Sequence, residues 1–365
     1  MSTELIIAII KANIALAVLL TNTILLIWFE RKLVAGMQSR VGPDRAGPFG
    51  LLQTVADAVK LLLKEQILPL KADRAMYLLA PIIALVPSFL IFMVIPLGPD
   101  FEINWSDQIY TIQLVGADLN VGVLYFLAVS SIAVYSVVLA GWSSGSKYPL
   151  LGGVRASAQM ISYEAAMGLA LVPIILYSGS LSLVDIVNSQ AGNLSSNIPI
   201  LNSIVSFIPK WNIFPQFVAF GIFFIAAVAE VNRAPFDLVE AEQELVGGFH
   251  TEYSGFRFAM FFLAEYINMF NMCAITATFF LGGWLGPTFQ NILPPIFSLI
   301  MPIIWLGLKT FALLFIFVWI RATLPRLRYD QLMELGWKRL IPMSLVWLIL
   351  SSIVLGVREF GLPWS

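Results

Sequence analysis

Carboxylates stand where an apolar chain should carry none. Glu164 and Glu265 lie about seven and eight residues inside long apolar runs, so both are about 10–12 Å along a helix from the same side. A charge at that depth costs at least ~2–3 kcal/mol unless it is paired or neutral. Between two such runs, residues 230–257 hold Asp237, Glu240, Glu242, Glu244 and Glu252, against Arg233 alone until Arg257. In a soluble protein this would be a solvated acidic loop. Here Pro235, Phe236, Leu238, Leu245, Val246, Phe249 and Tyr253 are interleaved with the acids and are expected to fold down against the body of the protein. Carboxylates crowded in a poorly hydrated place share protons, which makes the segment a candidate proton store or relay. Lys309, near the middle of another run, is a candidate counter-ion, whereas Lys11 can snorkel to an interface.

Other chemistry is excluded by composition. One cysteine, Cys273, allows no disulfide and no Cys-rich zinc or iron–sulfur site, and one histidine, His250, allows no multi-His metal centre. No G-x-G-x-x-G follows a strand and no phosphate loop is present. A net charge of −1 argues against nucleic acid. Any redox cofactor must therefore sit on a partner.

The elements that position these acids follow from hydropathy. Of 365 residues, 59% are hydrophobic and 12% charged, against about 25% charged in soluble domains. Runs near the 20 or so residues that span a bilayer fall at 5–29, 76–96, 121–141, 157–178, 213–232, 257–281, 299–320 and 340–357. The expectation is an all-α polytopic membrane protein, one membrane domain over 1–365 with eight transmembrane helices and one amphipathic interfacial helix. The first run lacks a basic leader and a small-residue cleavage site and is expected to stay in the mature protein. Connections 30–75, 142–156, 233–256 and 321–339, with Arg257 at an edge, hold 17 of the 21 basic residues. These connections should face the cytoplasm, with both termini outside. The outer connections look like linkers; Leu97–Asn120 is strand-like in places. No internal repeat is evident, which weakens a reading as an inverted-repeat transporter.

Leu51–Gln66 is too short and polar to span. Leu51, Leu52, Val55, Val59, Leu62 and Leu63 share one helical face, with Gln53, Asp57, Lys60 and Lys64 opposite. It is either a surface anchor or the wall of an opening from lipid to a polar site, and Asp57 and Lys60 are spaced to pair. The basic segment Arg321–Arg339 reads equally as a topology signal or as a dock for an acidic protein surface.

Four segments give the chain a relative. Phe29-Glu-Arg-Lys32 through Gln53-Thr-Val-Ala-Asp57 to Lys64-Glu65 is the first, and Leu150-Leu-Gly-Gly-Val-Arg155 to Tyr163-Glu164 the second. Asn232-Arg-Ala-Pro-Phe-Asp237 through Glu252-Tyr253, and Arg321-Ala-Thr-Leu-Pro-Arg326 through Gly336-Trp-Lys338, complete the set. In this order, over nearly the whole chain, they resemble the membrane subunit of respiratory complex I (NADH:quinone oxidoreductase) that adjoins the quinone site, known as the H subunit in bacteria and as subunit 1 in mitochondria. The resemblance implies an eight-helix translocase subunit, inactive alone, in a bacterial inner membrane. Its partners would be the peripheral quinone-site subunits, the subunit with the terminal iron–sulfur cluster, and small membrane-arm subunits. Quinone would be substrate, with FMN and iron–sulfur clusters only on partners. By the same resemblance Glu164, Glu240, Glu242, Glu244, Glu252 and Glu265 match the proton relay. Gln53, Asp57, Lys60, Arg40, Arg45, Arg233, Phe236 and Asp237 match the quinone tunnel and its entrance. Thr54 and Val239 stand where many members have Pro. A subunit of a membrane-bound hydrogenase or ferredoxin-linked complex, and a stand-alone proton-coupled transporter, are the alternatives.

Overall fold

A computed structural model describes residues 3–105, 108–193, 209–237, 247–287 and 295–360. In chain order the elements are α1 (Thr3–Met37), α2 (Gln53–Leu63), α3 (Arg74–Val94), strands β1 (Phe101–Trp105) and β2 (Gln108–Ile112), α4 (Gly122–Ser143), α5 (Lys147–Ser178) and α6 (Leu183–Ser189). There follow α7 (Phe217–Glu230), α8 (Gly255–Phe280), α9 (Pro295–Thr323), α10 (Tyr329–Glu334), a π-helical turn (Leu335–Leu340) and α11 (Ile341–Phe360). Among the described residues, seven helices are long and apolar enough to cross a membrane, α10 through α11 counting as one. This is an all-α polytopic architecture; β1 and β2 form only a small antiparallel hairpin in one connection.

Several boundaries differ from the hydropathy reading. The fifth apolar run yields a helix of 14 residues, about 21 Å long, less than a bilayer core of about 30 Å. α5 begins at Lys147, ten residues before its apolar run, so Glu164 lies 17 residues from the helix start. Hydropathy marks the oily part of a helix and is blind to a polar extension beyond it. The interfacial helix is 11 residues long rather than 16.

Apolar side chains all round these helices leave the backbone no water to bond, so helix persists even through Pro81, Pro87, Pro173 and Pro302. Asp73 caps α3 by accepting from the N–H of Ala75 and Met76. α3 packs on α4 and α8, α4 on α5, and α5 on α7 and α11.

The polar connections are folded onto this frame. Phe236, Phe249 and Tyr253 are buried. Leu238, Leu245 and Val246 lie outside the described residues. The Tyr253 ring stacks on Tyr77 with centroids 4.1 Å apart. Tyr77 Oη donates to the Glu252 carbonyl at 2.8 Å and Tyr253 Oη to the Tyr77 carbonyl at 3.2 Å. A turn at Gly248–His250 thereby lies directly on α5, where a Cβ at Gly152 would stand 2.8 Å from the Gly248 backbone. The arm 324–328 is drawn in as well: Leu327 N–H donates to the Pro235 carbonyl at 3.0 Å. Tyr163 Oη donates to the Leu332 carbonyl at 2.9 Å, and the Trp337 indole N–H to Ser162 Oγ at 2.9 Å, docking α10 and the π turn on α5.

Because the atom opposing Gly152 is backbone, Gly152→Ala must push the turn away. The expected loss is about 1–3 kcal/mol of stability, read as a lower thermal midpoint with faster hydrogen exchange at 247–254. An unchanged midpoint and exchange pattern would show that the close approach is not needed.

Candidate functional site

The site is built where α1, α7, α8 and α9 end on the basic side of the bundle. α7 terminates at Glu230, and the chain turns through Asn232 in the left-handed region (φ +53°), which asparagine tolerates better than most residues. Gln159 on α5 holds this turn: its Nε2 donates to the carbonyls of Ala229 and Phe236, each at 3.0 Å, and to Asn232 Oδ1 at 3.2 Å. The turn delivers Arg233 into the bundle, where it is only 4% exposed. Its Nε lies 2.7 Å from Glu265 Oε1 on α8 and its Nη1 3.7 Å from Glu30 Oε1 on α1. Its guanidinium sits 4.4 Å from the Tyr266 ring centroid. Arg321, from the end of α9, also donates to Glu30 Oε1. Four charges from four segments thus alternate in sign, Glu265–Arg233–Glu30–Arg321. Beside them Asp237, 2% exposed, accepts from Arg326 Nη2 at 3.2 Å.

Next to this row lies a cavity of about 70 Å³. Its walls include Glu230, Glu265, Asn232, Asn268, Ser136 and His250 together with Phe249, Phe261 and Phe262. A water needs roughly 10–15 Å³ on this measure, so several fit. Glu230 Oε2 and Asn268 Oδ1 are buried without a hydrogen-bond partner among the described residues, and water is what such oxygens require. Glu164 lies within electrostatic reach of Glu230. Its Oε1 accepts from Ser131 Oγ and, at 3.3 Å, from Ser130 Oγ. Glu230 and Glu265 share the cavity wall, whereas Glu164 does not line it.

The remaining predicted residues fall into two groups. Glu252 is half-buried in the Tyr77–Tyr253 turn and does not line the cavity, while Glu240, Glu242 and Glu244 lie outside the described residues. On α2, Asp57 pairs with Arg31 at 2.6 Å and accepts from Gln53 Nε2 at 3.1 Å. The expected Asp57–Lys60 pair is not formed, because the Asp57 side of α2 faces α1. Lys60 is exposed, as are Leu52, Val55, Val59, Leu62 and Leu63. The helix thus presents Gln53 and Asp57 inward and an apolar stripe outward. Arg40, bonded to Gln38 Oε1 at 2.6 Å, and Arg45 are exposed on the preceding turn. Phe236 packs edge-on to Tyr163.

Lys309, expected as a counter-ion, pairs with no acid among the described residues. Its Nζ donates to the carbonyls of Leu281, Gly283 and Leu285 at 2.6, 2.9 and 2.5 Å, and it sits 4.4 Å from the Trp211 ring centroid. It ties down the turn that ends α8. Lys11 reaches the Val115 carbonyl at 3.2 Å. Among the described residues, no group of three or more His, Cys, Asp or Glu side chains is arranged to hold a metal ion.

A family model described as NADH dehydrogenase matches residues 10–352. The chain belongs to that family. Among curated relatives, the NADH-quinone oxidoreductase H subunit of Frankia casuarinae is 52% identical over 342 residues, covering 93% of this chain and 71% of the relative. The corresponding H 2 subunit of Koribacter versatilis is 46% identical over 362 residues, covering 97% and 98% of the two chains. That of Syntrophobacter fumaroxidans, also an H 2 subunit, is 51% identical over 336 residues, covering 92% of each.

For this NADH dehydrogenase family member, sequence reasoning left out half of the charge row. In the sequence Glu30 marks only the end of the first apolar run, and Arg321 and Arg326 fall within a basic segment that reads equally as a topology signal or as a dock for an acidic protein surface. Asn268 was legible in principle: it follows Glu265 by three positions, hence on the same helix face. Glu230, closing its apolar run, carried a comparable signal.

Breaking a buried pair costs more than the pair contributes, because the remaining charge is stranded. Arg233→Met should lower stability by about 3–5 kcal/mol, and adding Glu265→Gln should recover part of that loss in a double-mutant cycle of thermal unfolding. Strictly additive losses would mean the two side chains do not interact.

Burial pushes the His250 imidazole down to about 4, from an ordinary value of 6.5. The folded ring resists protonation more than the unfolded ring does. Its contribution to stability is thus fully present above pH 6.5 and is lost as pH falls toward 4. Protection factors for hydrogen exchange at 247–254, taken relative to the intrinsic rate at each pH, should fall across that window and do so less steeply in His250→Asn; parallel profiles would contradict this.

Proposed function

We propose that this chain is the membrane subunit of a proton-translocating NADH:quinone oxidoreductase and that it couples quinone reduction on adjoining subunits to proton movement. The observation that carries the reading is the row Arg321, Glu30, Arg233 and Glu265 in contact, whose last member shares a cavity with Glu230, itself within electrostatic reach of Glu164. Low-dielectric surroundings give each charge a strong hold on its neighbour's protonation. A change at one end is felt along the row as a redistribution of protons.

Quinone reduction supplies such a change. A quinone that accepts two electrons and takes up two protons to become a quinol alters charge where it sits. Electrons come from iron–sulfur clusters, and ultimately FMN, on partner subunits; no residue of this chain carries them. Gln53 and Asp57, held toward α1 with an apolar stripe facing outward, suit an opening through which a long-tailed quinone leaves the lipid. Arg40 and Arg45, exposed on the same side, and the segment Arg233–Asp237 suit the rim and wall of a tunnel shared with peripheral subunits. Glu240, Glu242 and Glu244 are assigned by family resemblance to the link between tunnel and row. In this reading the basic connections face the cytoplasm of a bacterial cell and both termini lie outside.

Replacing Glu265 or Glu164 with Gln removes a titratable group while keeping its shape. In the assembled enzyme, reconstituted in vesicles, each change should slow quinone-linked proton pumping by at least about 10-fold, against the ~10²–10⁴-fold that a positioned proton-transfer group contributes. Glu240→Gln and Glu242→Gln should act in the same direction. Wild-type pumping in all four variants, with the complex intact, would defeat the relay.

A further inference from the structure

The cavity between Glu265 and Glu230 has one ionisable wall residue that the relay above does not use, the chain's single histidine. His250 stands on the turn Gly248–His250, which lies against α4 and α5. Three phenyl rings surround its imidazole, with centroids at 5.0 Å (Phe249), 5.3 Å (Phe258) and 6.0 Å (Phe262). These rings fix the imidazole's position and shield it on several sides. The remaining contact is with the cavity, whose other polar walls are Glu230, Glu265, Asn232, Asn268 and Ser136.

Among the described residues, Glu230 and Glu265 are the carboxylates that line the cavity, and Lys147, Arg155 and Glu164 of α5 do not line it. Glu230 closes α7 and Glu265 lies on α8 against Arg233. Arg257, also on α8, stands over the Tyr77 ring at 5.6 Å, away from the cavity lining, and Glu252 belongs to the same turn as His250. α3 and α4 contribute only Ala84, Ala133, Ser136 and Val137 to this wall.

Asn232, Asn268 and Ser136 can order water, but they do not exchange protons near neutral pH. An imidazole can, because one ring nitrogen carries a proton and the other a lone pair. We propose that His250 passes protons across this cavity, between water at Glu265 and the carboxylate of Glu230. An N–H bond forms at the bare nitrogen as the proton arrives, and the N–H bond at the other nitrogen breaks as its proton leaves for Glu230. Ring reorientation or tautomer exchange through cavity water restores the starting form. No electrons move, and the charge displaced is one proton. The phenyl surround favours the neutral ring, pushed down to about 4, so the ring does not trap the proton it receives.

This inference rests on the proton-coupling reading, and the experiment separates the two. His250→Asn keeps a donor and an acceptor, and His250→Phe keeps the ring packing. Both are compared with wild type and Glu265→Gln in the assembled oxidoreductase in vesicles. NADH oxidation by hexacyanoferrate reports intact electron input from the partner subunits. Quinone-linked proton pumping should fall by about 10-fold or more in both His250 variants. The ratio of rates in H2O and D2O should rise above the wild-type ratio, because proton delivery becomes limiting. Pumping at the wild-type rate in His250→Asn overturns the proposal, since the ring would then serve only as a hydrogen-bonding group. A slower rate with an unchanged isotope ratio, or failure of both variants to assemble, assigns His250 a structural role and overturns it equally. Slow Glu265→Gln beside normal His250 variants leaves the relay standing without His250, and normal pumping in all of them removes both.

Discussion

A guanidinium sealed inside an apolar bundle must find its counter-charges within that bundle, and Arg233 finds two. Glu265 reaches it from α8 and Glu30 from α1, while Tyr266 covers its face. Desolvating any one of these charges alone would cost several kcal/mol, and their mutual attraction offsets that only at contact geometry. Helix ends distant in sequence are therefore held in register at one point. Glu30 is shared with Arg321, which brings the end of α9 to the same place. The fold on this side of the membrane is organised by charge neutralisation more than by packing.

Around that node the polar connections become part of the core. Gln159 fastens the turn after α7, Asp237 holds Arg326, and Leu327 pairs with Pro235. The stacked Tyr77–Tyr253 pair holds the next turn against α3, and Gly152 lets its backbone touch α5. The result is a rim around a small cavity of mixed lining in which buried oxygens of Glu230 and Asn268 have no protein partner among the described residues. Such oxygens invite water, and water next to carboxylates is a medium for proton exchange. Structure and proposed function meet in that one property.

The family dimension fits the same physics. One cysteine and one histidine do not supply the ligands of a Cys-built iron–sulfur cluster. A membrane subunit of an NADH-quinone oxidoreductase does not need them if its task is to register, as proton shifts, electron transfer that happens on its neighbours.

Much of this was legible in the chain itself. Continuous apolar runs of about 20 residues read as helix, because in lipid only helices and closed barrels satisfy the backbone and barrel strands are shorter and alternate; the all-α architecture and the placing of Glu164 and Glu265 within apolar helices follow from that. The amphipathic character of α2 was equally visible from its 3.6-residue periodicity. Tertiary structure alone decided the pairings. Asp57 took Arg31 instead of Lys60, and Lys309 took three carbonyls instead of a carboxylate. Glu30 and Arg321 turned toward Arg233 from positions that look like surface charge, and Arg326, still half-exposed, took the buried Asp237. Periodicity records how much of a side chain's surroundings are oily. Which opposite charge lies within a few ångströms depends on how distant helices cross, and a one-dimensional pattern does not carry that information.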